Sequence, residues 1–370
     1  MKILTGIDIP LNPFGGSPII CNDWYSNLPD GDEALFLAMP STTEQWWTMA
    51  NVHFLRTAKV QDPTLYPRYL EQLRHEVRDI LLQYKPDIVH LQHLNYGLSR
   101  AFVEEASSLP KLGICHGTDA QAALQSAYFQ DNLVQITDRA DHIVFPTENM
   151  ARDFLSVYGK AVPYSIIPHG LPVEAFAMHN PHKPERILRL LYAGRLNHYK
   201  GADIAVEAIA HLHCPATLDI FGRADEQDYM SKLKHILAEH HLEDRVQFYD
   251  QIARHELLDT FSQYDCILIP SRYLEAFSLT AIEAQASGLV VIYGKGGGIQ
   301  NVLGDSAICI NDNLPDTLAR IIENIDRERA ILLQYREKGY ENAKKYQLAQ
   351  QVSALLTLSH ELTRRSIKTL

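Results

Sequence analysis

The stretch Ser271-Arg-Tyr-Leu-Glu-Ala-Phe-Ser-Leu-Thr-Ala-Ile-Glu-Ala-Gln-Ala-Ser-Gly288 decides how this chain is read. Before it, Asp265-Cys-Ile-Leu-Ile-Pro270 is a short apolar run of the kind that fills a fully buried parallel strand. After it, Leu289-Val-Val-Ile-Tyr293 begins another. Between the two, Leu279 to Ala286 is rich in helix formers and stops at Ser287-Gly288. The pattern predicts strand, loop, helix, strand. Glu275 then falls in the strand-to-helix loop and Glu283 inside the helix, four residues past Leu279 and on the same face. The sheet should cover that face, so a carboxylate there is costly unless it has a partner.

A ligand diol such as a ribose can supply that partner. The helix start adds free backbone N–H groups and a partial charge of roughly +0.5, a place for phosphate. The turn thus presents a carboxylate, an anion cradle and a second carboxylate, the order of hydroxyls, diphosphate and ribose in a nucleotide diphosphate sugar. Glu-x7-Glu, set within Glu-Ala-Phe-Ser-Leu-x3-Glu-Ala-x-Ala-x-Gly, resembles the retaining GT-B glycosyltransferases, especially the large family 4 type that includes sucrose and glycogen synthase relatives. The resemblance implies that Glu275 binds donor-sugar hydroxyls and Glu283 the ribose, with Phe277, Ser278, Leu279 and Thr280 forming the donor turn. The spacing alone also fits two unrelated acids, one on a loop and one solvated. Ser278 stands where the family usually has Gly, a place serine can fill if its backbone angles are ordinary.

Composition bounds the rest. The 370 residues are 46% hydrophobic and 21% charged, which fits a globular protein of about two domains. No apolar run approaches the roughly 20 residues of a membrane span. Met1-Lys-Ile-Leu-Thr-Gly-Ile-Asp8 lacks the apolar core of a signal peptide and reads as a first strand. Five scattered cysteines without CxxC point away from disulfides and cysteine zinc sites and towards a reducing cytoplasm. A net charge of −11 argues against nucleic acid and anionic lipid as partners. Residues 1–170 hold 12 Lys and Arg against 19 Asp and Glu, and all three tryptophans, Trp24, Trp46 and Trp47. That fits a solvated acidic surface with core aromatics, or an acceptor site suited to a neutral or cationic small molecule.

The N-terminal half alternates apolar runs and helical patterns as a doubly wound α/β domain does. Strands are expected at Lys2–Ile7, Ala34–Ala38, Ile88–Leu91, Leu112–Cys115, His142–Phe145 and Tyr164–Ile167, and a helix at Tyr66–Tyr84. Gly15-Gly16 follows the first strand ahead of a helix, where backbone can approach a ligand; it is not a GxGxxG fingerprint. An ordinary turn is the other reading, and the resemblance places such a pair near the donor phosphates and sugar. Residues 40–61 show no clear strand and are assigned to acceptor-contacting loops. His90 and His93 straddle a strand end, where HxxH does not give the same-face approach of a helical metal pair; His93 and Asn95 are open as cleft residues. His116 closes a strand, where α/β ligand sites form; the resemblance assigns it to the donor sugar, with Asp119 orienting it or capping the next helix. Thr147 reads as another N-cap.

Met178-His-Asn-Pro-His-Lys-Pro184 reads as a hinge-like linker. The second domain opens with Gly-Arg-x4-Lys-Gly, placing Arg195 and Lys200 between a strand and a helix, both able to reach one anion. In the resembled family this Arg and Lys hold the diphosphate. Strands follow at Thr217–Phe221, which ends in the close-approach Gly222, and at Arg245–Tyr249, whose loop to Ile252 is where the family lays the base.

The expectation is a GT-B protein, two Rossmann-like doubly wound domains facing across a cleft. An acceptor-binding domain spans 1–171, a nucleotide-sugar domain 185–347, and a last helix of about 348–370 returns to the first. The only DxD, Asp30-Gly-Asp32, precedes its strand and reads as a turn. Two fixed cations and a helix start can instead steady the leaving diphosphate, so metal-independent transfer from a UDP-sugar to a small polar acceptor such as an aminocyclitol is expected, and the resemblance implies retention of the anomeric configuration. Alternatives are a nucleotide-sugar epimerase or a phosphorylase on the same fold, and a nucleotide-sugar-binding protein without catalysis.

Overall fold

The computed structural model describes residues 1–41, 44–60, 62–117, 119–176, 187–225, 227–272 and 275–369. The linker expected at 178–184 lies outside the described residues. The chain divides into two compact units, Met1–Gly170 with Leu348–Leu370, and Leu171–Gln347.

In the first unit the described strands are β1 (Lys2–Pro10), β2 (Glu33–Met39), β3 (Val52–Phe54), β4 (Ile88–Gln92), β5 (Lys111–Ile114), β6 (His142–Phe145) and β7 (Tyr164–Ile166). They form one parallel sheet in the order β3-β2-β1-β4-β5-β6-β7. The order reverses between β1 and β4, and the crevice outside the carboxyl ends of strands at such a reversal is where open α/β sheets bind ligands. β3 corrects the expectation of a strandless stretch at 40–61. It is a three-residue edge strand pairing only with β2, and its side chains are largely exposed, so it carries no apolar signal. The helix Tyr66–Tyr84 forms with the predicted bounds, opened by Pro67 and closed by Lys85 in a left-handed conformation. The helix Leu348–Thr369 belongs to this unit; Leu355, Leu356 and Leu362 are buried, and the Ser359 hydroxyl lies 2.9 Å from His90 Nε2.

In the second unit the described strands are β8 (Leu188–Ala193), β9 (Ala216–Phe221), β10 (Val246–Tyr249), β11 (Cys266–Ile269), β12 (Val290–Gly294) and β13 (Ile308–Ile310). They are parallel in the order β10-β9-β8-β11-β12-β13, reversing between β8 and β11. Alternate residues face opposite ways. Cys266, Leu268, Val290 and Ile292 enter one core; Ile267, Ile269, Val291 and Tyr293 enter the other. Both faces are covered, which is why these strands read as continuous apolar runs. The helix Leu279–Ala286 also forms as predicted, with Ala281, Ile282, Ala284 and Ala286 in the second core. No helix among the described residues is long and apolar enough to cross a membrane.

Candidate functional site

Two polar clusters stand at the two strand-order reversals. In the second unit, the loops after β8 and β11 are locked together. Gly201 has φ 71°, and a Cβ there would fall 2.2 Å from the Pro270 carbonyl oxygen, so only glycine allows this approach. Arg272, on the β11 loop, makes a bidentate pair with buried Asp203 (2.6 and 2.9 Å), donates to the His198 carbonyl at 3.0 Å, and receives the Tyr199 carbonyl on its own N–H. Tyr229 and Lys232 complete the shell of Asp203. Burial raises the Asp203 pKa, but Arg272, Lys232 and Tyr229 outweigh it and hold the carboxyl well below its ordinary range.

This scaffold fixes Lys200. Its N–H donates to Asn197 Oδ1 at 3.0 Å, and its Nζ donates to Glu275 Oε1 at 2.5 Å. Ser271 Oγ donates to the same carboxylate oxygen at 2.7 Å. Burial pushes the Glu275 carboxyl up; Lys200, Ser271 and Arg195 outweigh it and hold it below the usual value. Arg195 is the more exposed cation: its side chain is 61% exposed, and Nη1 lies 3.5 Å from Asp225. Lys200 and Glu275 are therefore brought into contact, with Arg195 on the same loop as Lys200.

Leu279 and Thr280 open the helix that follows Glu275. Ser278, at its N-cap, has φ 68° and ψ 83°. The ordinary backbone angles expected of a serine here are thus corrected to a left-handed conformation that suits the glycine usual at this place. The Phe277 side chain is in the core, edge-on to Tyr346 at 5.4 Å, so any ligand contact there is through its backbone. Glu283 is buried, as its helical register demands, and Arg254 Nε lies 2.6 Å from its Oε1. Arg254, at the start of the helix Arg254–Phe261, went unread in the sequence because it is 29 residues from its partner. Gly222 has a structural reason as well: a Cβ would fall 2.1 Å from the Gly194 carbonyl oxygen.

In the first unit the cluster is built from the ends of β1, β4 and β5. Asp8 is fully buried; its Oδ2 accepts from Tyr69 at 2.8 Å and lies 3.6 Å from Lys59 Nζ, which sits 3.8 Å over the Tyr96 ring. His93 follows β4 with φ 60°, stacked on Tyr96 at 4.4 Å and 4.6 Å from the His116 ring. Burial takes both imidazoles down to about 3, aided by Lys59 at His93 and by His93 at His116, so both are neutral at physiological pH. Asp119 opens the helix Asp119–Gln125 and accepts from the N–H groups of Leu94 (2.5 Å), His116 (3.0 Å) and Gly117 (3.3 Å). It holds the His116 backbone and does not bond the ring. Asp8 Oδ1, Asn95 Oδ1, both His93 nitrogens and His116 Nδ1 are buried without a hydrogen-bond partner among the described residues. Buried polar atoms are normally paired, and a left-handed non-glycine residue costs about 1–3 kcal/mol, so this concentration makes the cluster a candidate ligand site.

Gly15 and Gly16 open the helix Gly16–Ser26 after β1; neither has positive φ, and nothing lies within 4 Å of a Cβ placed on Gly16. Trp24 is buried with its ring 5.8 Å from His169, and Trp47 is buried against Phe54; Trp46 is half-buried. His90 is engaged by Tyr25 and Ser359, and Thr147 caps its helix by accepting from the Met150 N–H. Asp8, Lys59 and Gln92 were missed in the sequence. Asp8 follows the apolar run of the first strand, two residues before its end at Pro10, a place at which strand-end logic could have found it.

Two doubly wound parallel units, each with a polar cluster at its strand-order reversal, define a GT-B-type protein. The comparisons with known proteins agree. The family model Glycosyltransferase Family 4 matches residues 36–175 and Glycosyl transferases group 1 matches 175–346, so the chain belongs to these glycosyltransferases. It is similar to D-inositol 3-phosphate glycosyltransferase of Corynebacterium glutamicum, 24% identical over 302 residues, 73% of this chain and 72% of that protein. Sucrose-phosphate synthase from Thermosynechococcus elongatus matches with a TM-score of 0.83 at 19% identity, covering 98% of this chain and 99% of that one. Anabaena HepE in complex with UDP and glucose matches at 0.79 and 18% identity, covering 97% and 99%. These structures share the GT-B fold.

Proposed function

We propose that the protein is a retaining glycosyltransferase that moves a hexose or N-acetylhexosamine from a UDP-sugar to a hydroxyl of a small polyol such as a cyclitol or aminocyclitol. The observation that carries this reading is the Lys200–Glu275 contact at 2.5 Å, directly ahead of a helix start. Arg195 and Lys200 meet the diphosphate together with the first N–H groups of Leu279–Ala286, and each charge-assisted hydrogen bond contributes roughly 1.5–3 kcal/mol. Glu275, kept ionised by Lys200 and Ser271, accepts from hydroxyls of the transferring sugar. Glu283 accepts from the ribose while Arg254 balances its charge. The bond from the anomeric carbon to the departing phosphate oxygen breaks as the acceptor oxygen attacks the same face, and the acceptor proton passes to that phosphate. Charge on the leaving group is met by side chains and amides, so the step proceeds without a metal ion.

His116 takes a sugar hydroxyl, and the buried atoms Asp8 Oδ1, Asn95 Oδ1 and the His93 nitrogens, which lack partners among the described residues, take the acceptor. A carboxylate in that set suits hydroxyl and ammonium groups. The HepE complex with UDP and glucose supports the donor, and the inositol phosphate relative supports a cyclitol acceptor. Lys200→Ala and Glu275→Gln should each lower kcat/KM for UDP-sugar transfer by about 100-fold, the loss of one or two such interactions. Full transfer by either variant, or activity that requires added manganese, overturns the assignment; product NMR decides between retention and inversion.

A further inference from the structure

His116 Nε2 lies 2.6 Å from Gln92 Oε1, and behind Gln92 a buried chain of hydrogen bonds runs through the first unit to its last helix. Gln92 Nε2 is 2.6 Å from Tyr25 Oη and 3.0 Å from Thr5 Oγ1; Tyr25 Oη is 2.9 Å from His90 Nδ1; His90 Nε2 is 2.9 Å from Ser359 Oγ. The chain has a direction because two of its hydroxyls spend their hydrogen on carbonyls, which can only accept. Thr5 Oγ1 donates to the His90 carbonyl at 3.1 Å, and Ser359 Oγ donates to the Leu355 carbonyl at 2.8 Å. Thr5 must therefore accept from Gln92, which orients the amide with Nε2 towards Thr5 and Tyr25 and Oε1 towards His116. Ser359 must accept from His90 Nε2–H, which leaves His90 Nδ1 to accept the Tyr25 hydroxyl and Tyr25 oxygen to accept from Gln92. Every hydrogen is then placed, and the last one sits on His116 Nε2.

We infer that Gln92 is a positioning residue that fixes His116 in the Nε2–H tautomer, so that Nδ1 meets the substrate as a bare acceptor and selects a hydroxyl or ammonium there against phosphate or carboxylate. This rests on the reading of His116 as a substrate contact. His116 Nδ1 is buried and has no hydrogen-bond partner among the described residues, which is the atom a ligand donor would satisfy. The groups facing the ring are His93 at its side, stacked His169 (6.0 Å between centroids) and the Asp119 carboxylate at its backbone, with Lys59 beyond His93. The two other histidines are also driven neutral by burial, so neither adds a positive charge beside the Nδ1 lone pair, and the Lys59 ammonium is directed to Asp8 and the Tyr96 ring.

Two measurements test the inference. In protein labelled with 15N-histidine, two-bond nitrogen–carbon-proton correlations at pH 7 should give His116 a protonated Nε2 and an unprotonated Nδ1; an Nδ1–H tautomer or an imidazolium overturns it. Gln92→Glu replaces the neutral acceptor by a carboxylate, which draws a second proton onto His116. The pH profile of kcat/KM should then gain an acid limb between pH 5 and 8 that the wild type lacks, with at least a tenfold loss at pH 5.5 relative to pH 8. Gln92→Leu, which has no charge to offer, should lower kcat/KM at every pH without that limb. A Gln92→Glu profile parallel to wild type would show Gln92 to be a packing residue and overturn the inference. Wild-type-like transfer by His116→Ala would instead refute the substrate contact while leaving the tautomer measurement intact.

Discussion

Replacing Arg254 by methionine isolates the energetics of the second glutamate. Arg254 Nε stands 2.6 Å from Glu283 Oε1, with only 5% of the Glu283 side chain exposed. Methionine preserves the aliphatic packing over Phe176, whose ring centroid is 5.5 Å from the guanidinium, and removes the charge. Breaking a buried pair by deleting one partner costs about 3–5 kcal/mol, because the remaining carboxylate keeps its desolvation cost. For a unit of this size that corresponds to a fall in Tm of about 6–20 °C. The double variant Arg254→Met, Glu283→Gln removes both charges and should recover most of the loss. Urea unfolding should be followed by far-UV circular dichroism, since all three tryptophans lie in the first unit and their fluorescence is blind to the second. The single Glu283→Gln variant carries the functional arm: loss of a charge-assisted bond to the ribose should weaken UDP binding about 10- to 150-fold by calorimetry. If Arg254→Met unfolds within 1 kcal/mol of wild type, the carboxylate is not held as a buried ion and the reasoning fails. If Glu283→Gln binds UDP as tightly as wild type, the pair serves the fold alone.

Three further outcomes follow from the same region. Ser278→Gly relieves a left-handed cost of about 1–2 kcal/mol and adds about 0.5–1 kcal/mol of chain entropy, so stability should rise by at most about 1.5 kcal/mol with transfer retained; lost transfer would mean the hydroxyl is used. Gly201→Ala drives a methyl against the Pro270 carbonyl at positive φ, and should cost about 2 kcal/mol or more in urea unfolding while displacing Lys200 and lowering kcat. Glu275 has a depressed carboxyl pKa in the folded state, so its contribution to stability is complete above its unfolded pKa of about 4.3 and disappears as pH falls through the lower folded value. Urea midpoints of wild type and Lys200→Met should therefore differ at pH 7 and converge at the acid end; a constant gap would show that Lys200 acts through packing.

The helices Tyr66–Tyr84 and Leu279–Ala286 were readable to the residue because each has both a stop signal and an apolar run beside it. The buried strands were readable because both faces are covered, so each is a block of aliphatic residues. β3 and β13 were not: each has three residues at a sheet edge, too few for a period and partly exposed. Arg195, Lys200 and Glu275 were singled out through short local motifs. The partners that give those residues their state were not, because Arg272–Asp203 and Arg254–Glu283 join separate βα units and no local pattern encodes the pairing.

Topology explains this asymmetry and gives it a direction. In both sheets the strand order reverses once, between β1 and β4 and between β8 and β11, and the loops leaving those strands diverge and leave a crevice at their carboxyl ends. In the second unit the crevice residues pair among themselves, so Lys200, Glu275, Glu283 and Arg254 are held in place before any ligand arrives. Preorganised charge of this kind does not have to be rearranged as a diphosphate departs, which is the condition under which fixed dipoles and cations act most strongly on a transition state. In the first unit the corresponding residues, Asp8, His93, Asn95 and His116, carry buried atoms that the described residues leave unpaired. Such atoms penalise an occupant that lacks the matching hydrogens more than they reward one that has them. On the proposed reading, the paired cluster therefore steadies the leaving group, and the cluster with unpaired atoms chooses which hydroxyl replaces it.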